Sequence, residues 1–335
     1  MLLMRRNTLK LLAGGAAITL LPDAMEFAKA AEDFIKGPPV KDHPSKQLSQ
    51  HVWVIHSPDG FPTAINQGMM ANITFVVTSK GVVILDSGAS VQIGEMAIRM
   101  IKKVTNQPVI AIFNSHYHGD HFLGNQAFIE AYGKNIPIYA HAYTLEKIKG
   151  IEGDTWRNLM ERWTNQASAG TIVTPPTHTV QHGDIFDYGN IKLKVHHYGQ
   201  AHTYGDICIE VLEDHVTHVG DIAMDNRIAN MDDGSYLGTF KTFKALEISS
   251  SKNQLWVPAH GKPNQYLLKE YGEFFAGIYE SCLKAVQEGK DPSSAKAIVL
   301  KDPRVSKHAK TMLGFEANIG KYSSIAYLEA EKEAF

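Results

Sequence analysis

The sequence predicts an α/β fold, and two observations carry that reading. Short apolar runs rich in Val and Ile, each bounded by turn residues, recur along the chain and read as strands. Between and after them lie segments whose apolar residues recur at helical spacing. The two kinds of segment alternate in two similar halves. With 335 residues, 44% of them hydrophobic and 20% charged, the chain has ample length for a core, in one large domain or one plus an appendage.

Taken in order, residues 1–30 read as an export signal. Met4-Arg5-Arg6-Asn7-Thr8-Leu9-Lys10 resembles a twin-arginine motif, with Thr8 where such motifs usually carry an aromatic or large apolar residue. The apolar stretch Leu11 to Leu21 is shorter than the roughly 20 residues that span a bilayer. Ala28-Lys29-Ala30 is a small-x-small cleavage site ahead of Ala31. An amphipathic N-terminal helix or an uncleaved anchor is the competing reading. The expected location is periplasmic or secreted, by twin-arginine export, with no stable membrane span once the signal is removed. Residues 31–47, with Gly37-Pro38-Pro39, read as an extended lead-in. Residues 48–264 are expected to form the main domain and residues 265–335 a C-terminal helical extension.

In the first half, His51–His56, Asn72–Val77, Val82–Asp86, Pro108–Phe113 and Ile136–Ala140 read as strands. A turn-rich loop, Ser57 to Gly68, separates the first two, and Phe61, Met69 and Met70 lie in or beside it. Helices are expected from near Val91, over Asn125–Tyr132, and through residues 142–168. In the last of these, Trp156, Leu159, Met160 and Trp163 recur at helical spacing. That pattern predicts a core-facing stripe, with a wall shaping a cleft as the alternative. In the second half, Ile191–His196, Ile207–Leu212, Val216–Asp221 and the run from Gln254 read as strands. Tyr266 to Gly289 reads as a helix capped by Gly289 and broken by Pro292. Two more helices are expected within 303–332, around Gly314. These tail helices read as packing surfaces, surfaces for a homo-oligomer, or contributors to a substrate cleft.

A net charge of −2 gives no footprint for nucleic acid or an anionic membrane, so a small-molecule substrate is the expected partner. The two cysteines, Cys208 and Cys282, fit no zinc-ribbon or CxxC spacing and read as buried thiols, with a disulfide between them left open. No Gly-x-Ser-x-Gly elbow proposes a serine nucleophile.

The stretch His116-Tyr117-His118-Gly119-Asp120-His121 puts three imidazoles and a carboxylate into six residues, directly after an apolar strand. Imidazole nitrogen and carboxylate oxygen suit zinc, which takes about four ligands at roughly 2.0–2.2 Å. In an extended chain His116, His118 and Asp120 share a face, and His121 points away from Asp120. All four converge only if the backbone curls, and Gly119 permits unusual dihedrals there. Donors split between two directions suggest two metal ions.

This His-x-His-x-Asp-His cluster resembles the signature of the metallo-β-lactamase superfamily. The resemblance implies a four-layered αβ/βα sandwich with ligands on loops at one edge of the strands. It implies His202, in Gly199-Gln200-Ala201-His202-Thr203, as the third imidazole of the first metal site, over the rivals His196 and His197. Tyr204 stands where many relatives have proline. It implies Asp221, at the end of the strand Val216–Asp221, as a bridging carboxylate, with Asp225 its nearest competitor. His260, in Ala259-His260-Gly261, would complete the second site. The metal set is then His116, His118 and His202 on one ion, Asp120, His121 and His260 on the other, with Asp221 between. Asp86, in Asp86-Ser87-Gly88, would hydrogen-bond a ligand histidine or, on composition alone, cap the following helix. The loop of Phe61 corresponds to one that relatives often use as a flap.

What the resemblance implies about activity is a dinuclear Zn2+ hydrolase, with two ions per chain. A zinc-bridging hydroxide would attack the carbonyl of an ester, thioester, lactone or lactam, and Asp120 would hold a metal and orient the nucleophile. The ligand set looks more like glyoxalase-II-type thioesterases and lactonases than like the β-lactamase subclasses. Three other readings stay open: β-lactamase activity proper, a mononuclear-iron persulfide dioxygenase, and a non-enzymatic periplasmic accessory protein of a sulfur-oxidation or quinoprotein system.

Overall fold

Period-two alternation along the strands sorts the apolar side chains into separate clusters, and the clusters define the layers. In the strand Val82–Leu85, Val83 and Leu85 join one cluster while Val82 and Ile84 join another. A computed structural model of the chain describes residues 36–58 and 60–334. The chain divides into two units, residues 1–36 and 37–335, and the elements below belong to the second. The expected export signal lies outside the described residues.

Seven strands form the first sheet in chain order: β1 (Ser45–Gln47), β2 (Val52–Ile55), β3 (Ile73–Val77), β4 (Val82–Leu85), β5 (Val109–Phe113), β6 (Ile138–His141) and β7 (His178–Val180). Pairing is antiparallel from β1 to β4 and parallel from β4 to β7. The parallel pairs require crossovers, and these hold α1 (Val91–Lys102), α2 (Gly119–Phe122), α3 (Asn125–Tyr132), α4 (Ala142–Lys149) and α5 (Ile151–Trp163). Five strands form the second sheet, in the order β12-β11-β10-β9-β8: β8 (Ile185–Asp187), β9 (Lys192–His196), β10 (Cys208–Val211), β11 (Val216–Gly220) and β12 (Leu255–Pro258). Only β11 and β12 pair in parallel there, with α6 (Tyr236–Ser249) in their crossover. The tail holds α7 (Leu267–Gln287), α8 (Pro292–Val299), α9 (Pro303–Ser306) and α10 (Phe315–Ala334).

Between the sheets, Val83, Leu85 and Phe113 pack with Leu193, Ile209 and Val257. Outside the first sheet, Phe75, Ile84 and Ile112 pack with Ile93 and Met96 of α1 and Phe128 of α3. Outside the second, Val219 and Trp256 pack with side chains of α6, α7 and α10, among them Leu246, Phe274 and Tyr322. The order is helix, sheet, sheet, helix, which is the four-layered αβ/βα sandwich. The apolar faces of α7 and α10 are buried within the chain itself. Cys208 and Cys282 are both buried free thiols. Among the described residues, no helix is long and apolar enough to cross a membrane.

Several elements differ from the sequence expectation. The helical stretch 142–168 is two helices parted at Gly150. Pro292 does more than end the preceding helix, because it starts α8 from its first turn, where a missing N–H costs nothing. Asp291 caps that helix, accepting from Ser294 N at 2.8 Å. The three-residue strands β7 and β8 are too short to leave a period in the sequence.

Candidate metal centre

Parallel strands deliver their C-terminal ends to one edge, and the site is built there from loops of both sheets. Asp86 follows β4, the His116–His121 loop follows β5, Asp221 follows β11 and His260 follows β12. His202 comes from the connection between β9 and β10. His118 is extended, at φ −71 and ψ 145, and caps the short helix α2. That single helical turn swings Asp120 and His121 away from His116 and His118. Extended alternation would instead have kept Asp120 with the first two histidines. Gly119 does its work by size rather than by dihedral. A Cβ there would meet Trp156 Cβ at 2.8 Å and Leu123 Cδ1 at 3.0 Å.

All seven residues singled out as ligands come together, in two groups. His116, His118, His202 and Asp221 form one, with candidate donor atoms within 4.8 Å of one another, and Asp120, His121 and His260 form the other. Asp221 faces both: Oδ2 lies 3.6 Å from His202 Nε2 and 3.3 Å from His260 Nε2, and Oδ1 lies 3.6 Å from His121 Nε2. Asp120 Oδ2 lies 3.2 Å from His260 Nε2 and 3.4 Å from His121 Nε2. His118 Nδ1 and His202 Nε2 face each other at 3.1 Å. Buried polar atoms without partners cost about 1–3 kcal/mol each and need a reason. Four of them converge here, His116 Nε2, Asp120 Oδ2, His121 Nε2 and Asp221 Oδ1, and none has a hydrogen bond. A cation in each group would satisfy them, so the donor sets fit metal ions.

The outer nitrogens of three ligand histidines, His116, His121 and His260, are held. Asp86 Oδ2 accepts from His121 Nδ1 at 2.9 Å and from Ser115 Oγ at 2.8 Å, and Oδ1 accepts from Ser115 N at 2.7 Å. Ser115 Oγ in turn lies 3.0 Å from His116 Nδ1. One carboxylate therefore orients His121 directly and His116 through a hydroxyl, leaving both Nε2 atoms turned inward. Helix capping falls to Ser90 instead. His260 Nδ1 donates to Met70 O at 2.8 Å. Asp206 accepts from His202 N and Thr203 N, each at 2.7 Å, and fixes the turn that carries His202.

Burial opposes charge on every one of these groups. For His116, His118 and His202 burial prevails and holds them below the ordinary histidine value, in the neutral form a metal takes. For Asp120 and Asp221 burial is outweighed by His121 and His260, which hold both carboxyls well below their usual range. His121 and His260 are pushed up by those carboxylates against the same burial. The site draws positive charge to the point where the second group converges.

The rivals are accounted for. His196 Nε2 lies 2.8 Å from Glu210 Oε2, and its Nδ1 lies 3.0 Å from Tyr198 Oη, so it is a satisfied buried histidine. His197 Nδ1 donates to Asp206 O at 2.8 Å. Asp225 accepts from Lys262 N at 2.9 Å and holds a turn. Tyr204 is half exposed with its ring against Tyr143, and it presents no hydroxyl to the donor groups. One partner went unrecognised in the sequence. His218 Nε2 lies 2.9 Å from Asp86 Oδ2, making a second imidazole on that carboxylate.

Above the donor groups lies a cavity of about 360 Å3. Trp156 and Trp163 of α5 line it on one part, and Phe61, Pro62, Arg227 and Asn230 on another. Trp156 packs against the core and lines the cavity at once, so the core-facing expectation holds for it in part and fails for Trp163. Met160 alone of that stripe is buried, and Trp163 stays 42% exposed. Met70 is buried and also lines the cavity, whereas Met69 belongs wholly to the core.

A family model described as "Metallo-beta-lactamase superfamily" matches residues 67–281, more than half of the chain. A curated relative, the metallo-beta-lactamase IND-1 of Chryseobacterium indologenes, is 25% identical over 238 residues, covering 70% of this chain and 85% of its own. A metallo-beta-lactamase from Pontibacter korlensis superposes with a TM-score of 0.53 at 20% identity, over 69% of this chain and 97% of the other. One from Erythrobacter litoralis gives 0.51 at 17% identity, over 68% and 93%.

Proposed function

Because the chain belongs to the metallo-β-lactamase superfamily, we propose that it is a hydrolase holding two zinc ions, which cleaves an ester, thioester or lactone carbonyl. The observation that carries this is the seven-residue donor set in two groups, with Asp221 facing both and four inward atoms lacking hydrogen bonds. Zinc, when bound, supplies Lewis acidity and brings the pKa of its water from 15.7 to about 7. The chain does the rest. His116, His118 and His202 are neutral, buried and pre-aimed. Asp86 and Ser115 fix His121 and His116, and Met70 O fixes His260. Asp120 is the residue assigned to orient the attacking water, since its Oδ2 faces the second group from inside the cavity.

A second reading, β-lactam hydrolysis, is favoured by the names of the similar proteins. Location in the periplasm or outside the cell is proposed on the sequence of residues 1–30 alone. The test is metal analysis of the purified chain, then turnover of aryl esters, thioesters, lactones and nitrocefin. We expect two zincs per chain and cleavage of at least one of the first three classes. His118→Ala and Asp120→Ala should lose metal and turnover together. One iron per chain, or full turnover after metal removal, would overturn the proposal. Nitrocefin as the only substrate cleaved would move it to the second reading.

A further inference from the structure

The cavity above the donor groups has walls that the donor chemistry does not require. Trp156 and Trp163 lie seven residues apart on α5, two turns on one helix face. Their rings meet edge to face, with centroids 6.2 Å apart and planes at 68°. The Trp156 ring lies 4.7 Å from the ring of His118, a donor of the first group. Its position is fixed from behind by Gly119, where even a methyl group would collide with it. A tryptophan 42% exposed beside a half-buried one that also packs on the core is a wall left open to something. Facing the cavity from the loop after β2 is Phe61, 39% exposed. Its ring lies 4.7 Å from the Arg227 guanidinium, and that side chain also donates to Gly60 O at 2.8 Å. The arginine is thereby held against the loop and stiffens it, while also lining the cavity.

We propose that this cavity is an aromatic-ring site: the substrate carries a phenyl-sized group within a few bonds of its scissile carbonyl, packed against Trp156 and Trp163. The bond cleaved rests on the hydrolase reading above, whereas the ring site rests on the walls alone. A ring gains here by buried area and by edge-to-face geometry, and an alkyl group of similar reach gains only the first.

The experiment compares ethyl acetate with ethyl phenylacetate and with benzyl acetate, which place a ring on the acyl or the alcohol side. In the zinc-loaded full chain, at least one ring-bearing ester should exceed ethyl acetate about tenfold in kcat/KM. Trp163→Ala should bring that ratio toward one at unchanged metal content, and Trp163→Phe should keep most of it. Trp156→Ala should act in the same direction. Should its packing on Gly119 compromise folding, the half-exposed Trp163 carries the test alone. Calorimetric titration of phenylacetate against acetate, and of benzyl alcohol against ethanol, reads the ring site without turnover. At least one ring-bearing probe should bind about tenfold tighter than its partner, and Trp163→Ala should abolish the difference. Cleavage without ring preference, or a preference untouched by both tryptophan substitutions, would overturn the ring site and leave the hydrolase reading standing. Tryptophan-dependent binding with no ester, thioester or lactone cleaved would do the reverse.

Discussion

Asp86 is the residue on which the donor geometry turns. It is fully buried, ends β4 and adopts φ 59, a left-handed conformation that Asp and Asn tolerate better than most residues. Burial alone would raise its carboxyl, but the charges and hydrogen bonds of His121 and His218 outweigh it and hold it well below the usual range. Replacing it by alanine strands two imidazole nitrogens and the Ser115 amide in the interior. We therefore expect Asp86→Ala to lose about 3–5 kcal/mol of stability in urea unfolding, and zinc affinity about 10–100-fold in chelator competition. Asp86→Asn keeps the backbone conformation and should lose less of both. The first four ligands were legible because their spacing is local: His116 to His121 declare themselves within six residues, whereas His202, Asp221 and His260 came only through the family resemblance. His218 was not, because its role appears only when β11 and the end of β4 meet, 132 residues apart in sequence.

At the scale of elements, the tail reaches the cavity through one loop. Residues 226–235, between β11 and α6, bring Arg227 and Asn230 to the cavity. Ile228 N donates to Leu313 O and Leu313 N to Asn226 O, each at 3.0 Å. Glu329 of α10 accepts from Ser235 Oγ at 2.6 Å and from Tyr236 N at 2.7 Å, occupying the positive end of α6. Tyr236 Oη donates to Tyr322 O at 3.0 Å. Of the alternatives the sequence leaves for the tail helices, packing is the one the structure shows, and they bear on the cleft only by bracing this loop. Glu329→Ala should destabilise the chain by about 1–2 kcal/mol. It should raise KM more than it lowers kcat for any cleaved ester, because it loosens a wall without touching a donor. Equal KM in the variant and the parent would refute the link. Helical spacing made α7 and α10 readable, since each needs an apolar face. It could not say what the polar Glu329 would grip, nor that the tryptophans of α5 face a cavity, because a stripe of large apolar residues looks alike whether it meets a core or a ligand.

For the whole molecule, the donors tie together parts of the chain that share little else. Asp86 and the His116–His121 loop belong to the first sheet, and His202, Asp221 and His260 to the second. The sheets themselves meet through Val83, Leu85 and their partners. At the loop edge the contact is instead between buried donors, with two carboxylates, Asp120 and Asp221, lying 3.2 and 3.3 Å from the same His260 Nε2. Ions bound there would act as a clamp between the halves. Binding to the folded state alone stabilises by about 4 kcal/mol at a thousandfold excess over Kd. In a chain of this size each kcal/mol moves Tm by roughly 1.5 °C, and two ions supply about twice the stabilisation of one. Stripping metal with a chelator should therefore lower Tm by about 10 °C, and zinc should restore it. Asp221→Ala, which removes the carboxylate facing both groups, should cut the zinc-induced rise to less than half and should also lower the Tm of the stripped protein, because His121 and His260 lose the counter-charge that holds them in the interior. A zinc response unchanged in Asp221→Ala would mean that the two halves are held by their cores alone, and that the donor groups do not act as one centre.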